Sequence, residues 1–290
     1  MNSTPGKFDY SSFLARVTMD EATAEKSHSC ILEGVEPEIV VGEESGGVSY
    51  LEARLPDEGR CGVCDGTLHL FSSDEQGRSY AVPCEGQAVK RRAELFNLAR
   101  IPSAYRLATV ETLSRSQAAA LDVMSPGDQG WWLFGRNSTG KTHTTCAAIR
   151  HFSLSRGIRV RFVSVTWLLD WIRASYDRNA GDVVEYDSRG NRIRTQAGML
   201  SDLGMVPVLA LDDIGKVSGR SDFEIRILSS LVERRANSAN LVTFVTSNPS
   251  PGDLLDREEQ GTWGVRRLIS RLERMTRPIP WTRPSRGSSL

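Results

Sequence analysis

The stretch from Gly135 to Thr142 constrains the fold of this chain more than any other part of the sequence. It reads GRNSTGKT, the pattern G-x-x-x-x-G-K-T of a loop whose backbone N–H groups surround a phosphate at the start of a helix. Lys141 is expected to reach the β- and γ-phosphates of a nucleotide, and Thr142 to hold Mg²⁺. The predicted nucleotide-binding residues are Gly135, Arg136, Asn137, Ser138, Thr139, Gly140, Lys141 and Thr142.

The residues around this loop supply the strand and the helix that such a loop requires. Residues 131–134 are apolar, as in a buried strand, and residues 144–152 place apolar side chains at helical spacing. Further apolar runs at 159–165, 206–211 and 241–246 alternate with helical patterns. Alternating strands and helices predict a three-layer α/β domain with a parallel sheet.

Polar side chains follow two of the later strands directly. Asp212 and Asp213 end one apolar run, and Asn248 follows another. Because ligands lie at the carboxyl ends of parallel strands, these residues are expected to converge on the phosphate loop. Asp212 would hold Mg²⁺ with Thr142, Asp213 would orient or deprotonate a water, and Asn248 would position that water or contact the γ-phosphate. The alternatives are a helix cap and a turn, but together the residues predict ATP hydrolysis.

Three cysteines precede this domain with spacing typical of a metal site. Cys61 and Cys64 form a C-x-x-C turn, and Cys84 returns about twenty residues later. Residues 67–71 and 78–82 alternate like the strands of a hairpin. The sequence predicts a small zinc-ribbon-like cysteine-hairpin module that binds Zn²⁺ through these three cysteines.

The fourth zinc ligand is open in the sequence. Gly86 stands where a second cysteine of the return pair is expected, and the other candidates are Cys30, His28 and His69. The alternative is a hairpin that has lost its metal or uses its thiols otherwise.

The length and composition favour one medium core with an accessory module. The chain has 290 residues, of which 39% are hydrophobic and 25% charged, and it contains no apolar run near the roughly 18 residues of a membrane span. We expect a cytoplasmic protein without membrane association. The expected domains are an acidic arm without fixed structure at 1–48, the cysteine hairpin and a linker helix at 49–95, and the nucleotide-binding domain at 96–290.

The order of the motifs resembles that of a AAA+ ATPase of the bacterial helicase-loader group, the DnaC/DnaI type, with IstB-like transposition ATPases closely related. The resemblance covers roughly residues 60–290. Besides the phosphate loop, the segments that carry it are Leu211–Gly215 as Walker B, Thr246–Asn248 as sensor 1, Ser270–Leu272, and Ile101–Arg106 before the core.

The resemblance implies a AAA+ core and several partners, and the short stretch after Ser270–Leu272 predicts that this core has no C-terminal lid. The N-terminal module would contact a replicative ring helicase, which the protein would deliver onto single-stranded DNA during replication initiation. Arg271 would reach the nucleotide of a neighbouring subunit, so that the protein associates with itself, although Arg266, Arg267 and Arg274 lie close enough to compete for this role. Tyr105 would lie near the adenine.

The same resemblance places single-stranded DNA near the helices after the second strand of the core. That region offers Trp167, Trp171, Arg173, Tyr176 and Arg178. Aromatic rings and guanidinium groups suit stacking on bases and pairing with phosphates, although two tryptophans four residues apart are more often core residues. The alternatives to a loader are an IstB-type transposition-regulating ATPase, an adaptor switched by ATP and, from a different class, a P-loop kinase.

Overall fold

The computed structural model describes residues 36–45, 48–55, 69–73, 76–176, 185–216, 221–256 and 263–282. Contacts between residues divide the chain into two compact units. One comprises Met1–Gly34 and Glu58–Gln87, and the other Val35–Asp57 and Ala88–Leu290. This division runs at other positions than the boundaries near 48 and 95 expected from the sequence, and those boundaries stay a prediction.

Eleven strands and eight α-helices are found in the described part of the chain. The strands are β1 (Glu38–Ser45), β2 (Val48–Arg54), β3 (His69–Ser73), β4 (Ser79–Pro83), β5 (Gly130–Phe134), β6 (Val160–Ser164), β7 (Glu185–Tyr186), β8 (Arg192–Ile193), β9 (Val208–Asp212), β10 (Val242–Ser247) and β11 (Thr276–Pro280). The helices are α1 (Glu85–Leu98), α2 (Arg115–Val123), α3 (Lys141–Arg150), α4 (Val165–Ala174), α5 (Gln196–Met205), α6 (Asp222–Ala236), α7 (Pro251–Asp256) and α8 (Trp263–Met275). No helix in these ranges is long and apolar enough to cross a membrane.

The centre of the larger unit is a five-stranded parallel sheet in the order β11-β5-β10-β9-β6. The predicted strands at 131–134, 159–165, 206–211 and 241–246 are all present, with ends shifted by one or two residues. Strand β10 lies between β5, which leads into the phosphate loop, and β9, which ends in Asp212. This order places the carboxyl end of β10 between the loop and the aspartates.

Helices cover both faces of the sheet, and successive side chains of a strand point to opposite faces. Trp131 and Leu133 belong to one buried cluster with α3, whereas Trp132 belongs to a second cluster with α4, α5, α6 and α8. On β10, Phe244 and Val245 are divided in the same way. The architecture is therefore the predicted three-layer α/β arrangement.

A buried arginine links one of the covering helices to the sheet. Arg235 of α6 donates hydrogen bonds of 2.7 to 2.8 Å to the carbonyl oxygens of Leu203, Val206 and Val242, and one of 2.9 Å to Oγ1 of Thr243. Burial lowers its pKa to about 9, so the guanidinium is still charged at neutral pH. It satisfies carbonyl groups where the chain enters β9 and β10.

The hairpin β1–β2 corrects the expectation of an arm without fixed structure up to residue 48. Residues 38–45 form β1, which pairs antiparallel with β2. Leu51 and Ala53 of β2 are buried, and Asn97 of α1 accepts a hydrogen bond from the Ala53 amide at 2.6 Å. The acidic composition of residues 38–45 did not indicate a strand. Its pairing partner β2 begins only after Gly46 and Gly47.

A β-hairpin is present where the sequence predicts one, and the cysteine module built on it stays a prediction. Strands β3 and β4 pair antiparallel from His69 opposite Pro83 to Ser73 opposite Ser79, and Cys84 follows β4 and is buried. Cys61 and Cys64 lie outside the described residues. Among the residues that the structure describes, no group of three His, Cys, Asp or Glu side chains is placed to hold a metal ion, so zinc binding stays a prediction.

Candidate functional site

The phosphate loop connects the end of β5 to the start of α3. Gly135 has a φ of 142°, and a Cβ atom there would lie 2.5 Å from the carbonyl oxygen of Trp281, so a side chain does not fit. Gly140 has a φ of 93° directly before α3, and Ser138 also adopts a left-handed conformation with a φ of 59°. Such changes of hand turn successive N–H groups of a loop toward one point, where an anion binds.

Lys141 lies beneath this loop with its ammonium group fully engaged. Its Nζ donates to the carbonyl oxygens of Gly135 and Arg136, both at 2.8 Å, and to Oδ1 of Asn248 at 3.2 Å. Burial lowers the pKa of Lys141, and the nearby Asp212 and Asp213 oppose this effect. The lysine therefore joins the loop to the end of β10.

Asp212 receives two hydroxyl groups on a single oxygen. Thr142 and Thr246 donate from Oγ1 to its Oδ1, at 2.8 Å and 2.7 Å. Burial raises the pKa of the Asp212 carboxyl, while these two donors act in the opposite direction. Within the described residues no donor is assigned to Oδ2 of Asp212, which leaves that oxygen available to a cation or a water.

The backbone conformation and amide hydrogen bond of Asp213 fix its position. Its φ of 59° is left-handed, which costs free energy in a residue other than glycine. Its amide donates to Oγ1 of Thr246 at 2.9 Å. The Thr246 hydroxyl thus connects the two aspartates, since it donates to the carboxylate of Asp212 and accepts from the amide of Asp213.

The predicted residues surround one open cleft of about 480 Å³. Its lining residues are Tyr105, Asn137, Ser138, Thr139, Gly140, Lys141, Thr142, His143, Asp212, Asp213, Thr246, Ser247 and Asn248. Gly135 and Arg136 contribute carbonyl groups beneath the cleft instead of lining it. A larger cavity of about 630 Å³, lined in part by Arg92, Glu111 and His151, lies elsewhere and contains no residue of the phosphate loop.

Tyr105 lines this cleft near Thr142 and Asp212. It ends a short 3₁₀ helix at Ser103–Tyr105. Burial raises the pKa of Tyr105, and the nearby Thr142 side chain acts in the opposite direction. The structure therefore brings Tyr105 to the predicted magnesium ligand Thr142.

Two residues that contact the phosphate loop or the aspartates were not assigned roles from the sequence. Thr246 was visible only as part of the segment Thr246–Asn248, and the pairing of its hydroxyl with Asp212 and Asp213 depends on the strand order. Trp281 donates from its amide to the carbonyl oxygen of Phe134 and from Nε1 to that of Thr139, the latter at 3.1 Å. No sequence signal links Trp281 to a loop about 140 residues earlier.

Arg271 lies outside the cleft and is paired within its own chain. Its Nη2 donates to Oε1 of Glu233 on α6 at 2.7 Å, and its side chain is only 14% exposed. Arg267, one turn earlier on α8, has a side chain that is 65% exposed and lies 3.9 Å from the same carboxylate. The pair with Glu233 must open before Arg271 can contact another molecule.

Of the residues offered for DNA contact, Trp171 belongs to the core, which is the alternative that the sequence left open. Trp171 is 6% exposed and belongs to the core beneath the sheet, because its position on α4 faces that core. Trp167 is partly buried against the same cluster, whereas Tyr176 is 62% exposed. Arg173 is engaged by Asp170 and Glu224, at 2.9 Å and 2.5 Å. Arg178 lies outside the described residues.

Comparisons with known proteins give matches only among solved structures. No protein family matches the sequence, and no curated protein is similar to it. The fold is similar to a DnaC helicase loader (20% identity, TM-score 0.49, covering 62% of this chain and 99% of the other) and to DnaI (22%, 0.47, 64% and 94%).

A third similar structure is the replication initiator DnaA bound to AMPPCP and single-stranded DNA (17%, 0.45, 61% and 50%). Identities below 25% and TM-scores below 0.5 give these similarities no weight beside the geometry of the cleft. The first two are the loader types that the motifs of this chain resemble.

Proposed function

We propose that this protein is a Mg²⁺-dependent ATPase of the AAA+ type. The observation that carries the proposal is the convergence on Asp212 Oδ1, which accepts hydrogen bonds from Thr142 of the phosphate-loop helix and from Thr246 of β10. A P-loop alone supports nucleotide binding only. A carboxylate held against the metal-binding threonine, with a second carboxylate and an amide beside it, supports hydrolysis.

The residues divide the work of phosphoryl transfer by position. Lys141 and the loop amides would bind the β- and γ-phosphates. Asp213 would orient or deprotonate the attacking water, and Asn248, which already contacts Lys141 at 3.2 Å, would position that water beside the γ-phosphate. These groups lie on three neighbouring strand ends, so that no large rearrangement is needed to assemble them.

The residues present fit a magnesium ion. Thr142 and Asp212 supply the hydroxyl and carboxylate oxygens that this hard cation prefers, and the Thr142–Asp212 hydrogen bond of 2.8 Å orients both. When bound, Mg²⁺ neutralises charge on the phosphate oxygens during transfer. Tyr105 lines the cleft beside these two residues.

ATP binding and turnover of the Lys141→Ala variant test the proposal. Lys141→Ala should lose most ATP affinity in a titration with a fluorescent ATP analogue, whereas Lys90→Ala, which removes an exposed lysine of α1, should bind like the wild type. Steady-state phosphate release should require Mg²⁺ and should disappear in Lys141→Ala. Equal affinities of the two variants would reject this cleft as the ATP site.

The finer proposal is that the ATPase is a helicase loader, and it rests on the motif resemblance. ATP would favour association of copies in which Arg271 of one subunit leaves Glu233 and contacts the nucleotide of the next. The N-terminal unit would contact a ring helicase, with zinc held by Cys61, Cys64 and Cys84.

Native mass measurement of the full chain mixed with the replicative helicase of the same organism, under ATP and under ADP, tests this finer step. The expected result is a defined complex under ATP. Absence of any complex under both nucleotides, with ATP binding intact, would reject the loader and leave the ATPase. An ATP-switched adaptor would form the complex without turnover.

A further inference from the structure

Trp281 lies beside the phosphate loop and directly follows β11, the strand at the edge of the sheet next to β5. Pro278 and Pro280 of β11 have no amide hydrogen, as is usual on an edge strand. The Trp281 amide comes next and donates to the carbonyl oxygen of Phe134 at 2.6 Å. This hydrogen bond extends the pairing of β11 with β5 to the residue that directly precedes the loop.

Trp281 contacts both ends of the phosphate loop. Its carbonyl oxygen lies 2.5 Å from the position that a Cβ atom of Gly135 would take. Its indole Nε1 donates to the carbonyl oxygen of Thr139 at 3.1 Å, across 142 residues of sequence, and lies 3.9 Å from the Cβ position at Gly140. Trp281 is not among the residues that line the ATP cleft. It therefore holds the loop from the side that faces away from the cleft.

The hydrogen bond to Thr139 fixes the orientation of one peptide group. The Thr139 carbonyl and the Gly140 amide belong to the same planar trans peptide, so they point in opposite directions. An indole N–H that binds the carbonyl outside the loop directs the Gly140 amide toward the cleft, which Gly140 lines. Gly140 has a φ of 93° and no Cβ atom, so it offers little steric resistance to rotation of this peptide. Trp281 supplies a restraint that the glycine lacks.

Other groups hold the carbonyls at the start of the loop. Lys141 Nζ donates to the carbonyl oxygens of Gly135 and Arg136, both at 2.8 Å, and the Thr139 hydroxyl donates to that of Arg136 at 2.9 Å. Within the described ranges of the chain, no side chain besides Trp281 donates to the Thr139 carbonyl. Loss of the indole N–H therefore leaves the last peptide before α3 without a side-chain donor.

We propose that Trp281 is a positioning residue of the ATP site, which holds the Thr139–Gly140 peptide so that the Gly140 amide faces the nucleotide phosphates. This inference rests on the proposed function, since it assigns a regulator of loop geometry to the same cleft. Trp281 acts before binding, because an ordered loop loses less conformational freedom when the phosphates arrive. The carboxylates and the amide that follow β9 and β10 do not depend on this hydrogen bond. The expected effect is therefore on ATP binding and not on the chemical step.

The test compares Trp281→Phe with Trp131→Phe in the full chain. Trp281→Phe keeps an aromatic ring against the buried cluster that includes α3 and removes the indole N–H. Trp131 belongs to the same cluster, and among the described residues its indole has no hydrogen-bond acceptor. The control thus removes the same kind of side chain without removing a bond to the loop. The measurements are titration with a fluorescent ATP analogue, its displacement by inorganic tripolyphosphate, phosphate release against ATP concentration, and thermal melting.

Trp281→Phe should weaken binding of the ATP analogue about three- to tenfold, the effect of losing one hydrogen bond. The inhibition constant of tripolyphosphate should rise by the same factor, because the loss concerns the phosphates and not the base. KM for ATP should rise equally, while kcat at saturating ATP changes by less than about twofold. Trp131→Phe should change each nucleotide measurement by less than about twofold, although its ring is only 7% exposed.

Wild-type affinity of Trp281→Phe for both ligands would overturn the inference, as would an equal loss in the two variants or a fall in kcat at unchanged KM. If Trp281→Phe melts at a lower temperature than the wild type, the substitution Trp281→β-(3-benzothienyl)alanine replaces it. That side chain keeps the shape of the indole and has sulfur in place of N–H, so wild-type affinity in this variant would show that packing alone matters and would overturn the inference. Wild-type protein that binds neither ATP nor tripolyphosphate would instead refute the proposed function, and this inference with it.

Discussion

Replacement of Thr246 by valine tests the central feature of the cleft, a hydroxyl that connects both aspartates. Valine has nearly the same shape as threonine, so the change removes the hydroxyl with little change of packing volume. Thr246 is 2% exposed, and water therefore cannot replace the lost partner easily. The change removes the donor to Asp212 at 2.7 Å and the acceptor of the Asp213 amide at 2.9 Å.

The size of the effect follows from these two bonds. A hydrogen bond to a charged group contributes about 1.5 to 3 kcal/mol, and a buried amide left without a partner costs about 1 to 3 kcal/mol. We expect the free energy of unfolding to fall by about 2.5 to 6 kcal/mol, and kcat to fall roughly 10- to 100-fold because the aspartates lose their relative orientation. ATP affinity should change by less than about threefold, since Lys141 and the loop amides are untouched.

Thr243→Val is the matched control on the same strand. Thr243 is also buried, at 1% exposure, and its hydroxyl accepts from Arg235 Nε at 2.9 Å, at the opposite end of β10. It should lose stability without a specific loss of turnover. Both variants are compared by thermal melting, ATP titration and phosphate release below their melting temperatures. Equal losses of kcat in the two variants would refute a role of the Thr246 hydroxyl in the cleft.

Three further predictions concern other parts of the larger unit. Arg271→Ala should keep ATP affinity and lower turnover only at protein concentrations where copies associate. Glu233→Gln, which frees Arg271 from its 2.7 Å partner, should lower the protein concentration at which turnover depends on association. A loss of turnover in Arg271→Ala that is independent of protein concentration would argue against action between subunits. Arg235→Met should lower the free energy of unfolding by about 3 to 5 kcal/mol, measured by urea denaturation, because three buried carbonyl groups lose their donor. Burial raises the pKa of Asp212, so protons compete with Mg²⁺ for its carboxylate at a higher pH than for an ordinary aspartate; the acid limb of turnover should move to lower pH as Mg²⁺ is raised, and an acid limb that ignores Mg²⁺ would contradict this.

Residue patterns within short stretches of the sequence predicted the loops and strands whose conformation depends on residues next to one another. The phosphate loop needs glycines at left-handed positions beside a buried strand, and both needs are visible in residues 131–142. Buried parallel strands are continuous apolar runs, and those runs also located Asp212 and Asn248 at strand ends. The hairpin β3–β4 was visible because its strands alternate and its turn is short.

Contacts between residues far apart in the sequence could not be predicted from such short patterns. The partner of Arg271 is Glu233 on another helix, and the acidic segment at 38–45 became a strand only through its pairing with β2. Trp171 had a sequence spacing that fitted either a core or a surface, and the side of α4 that meets the sheet decided for the core.

The sequence by itself therefore determined the G-x-x-x-x-G-K-T loop and the parallel α/β sheet, with carboxylates and an amide following its strands. Only the tertiary structure decided that β10 lies between β5 and β9. That order brings the Thr246 hydroxyl onto both aspartates and Asn248 onto Lys141. The physical reason is that strand order depends on how helices cover both faces of the sheet, a property of the whole chain, whereas loop and strand conformation depend on residues next to one another.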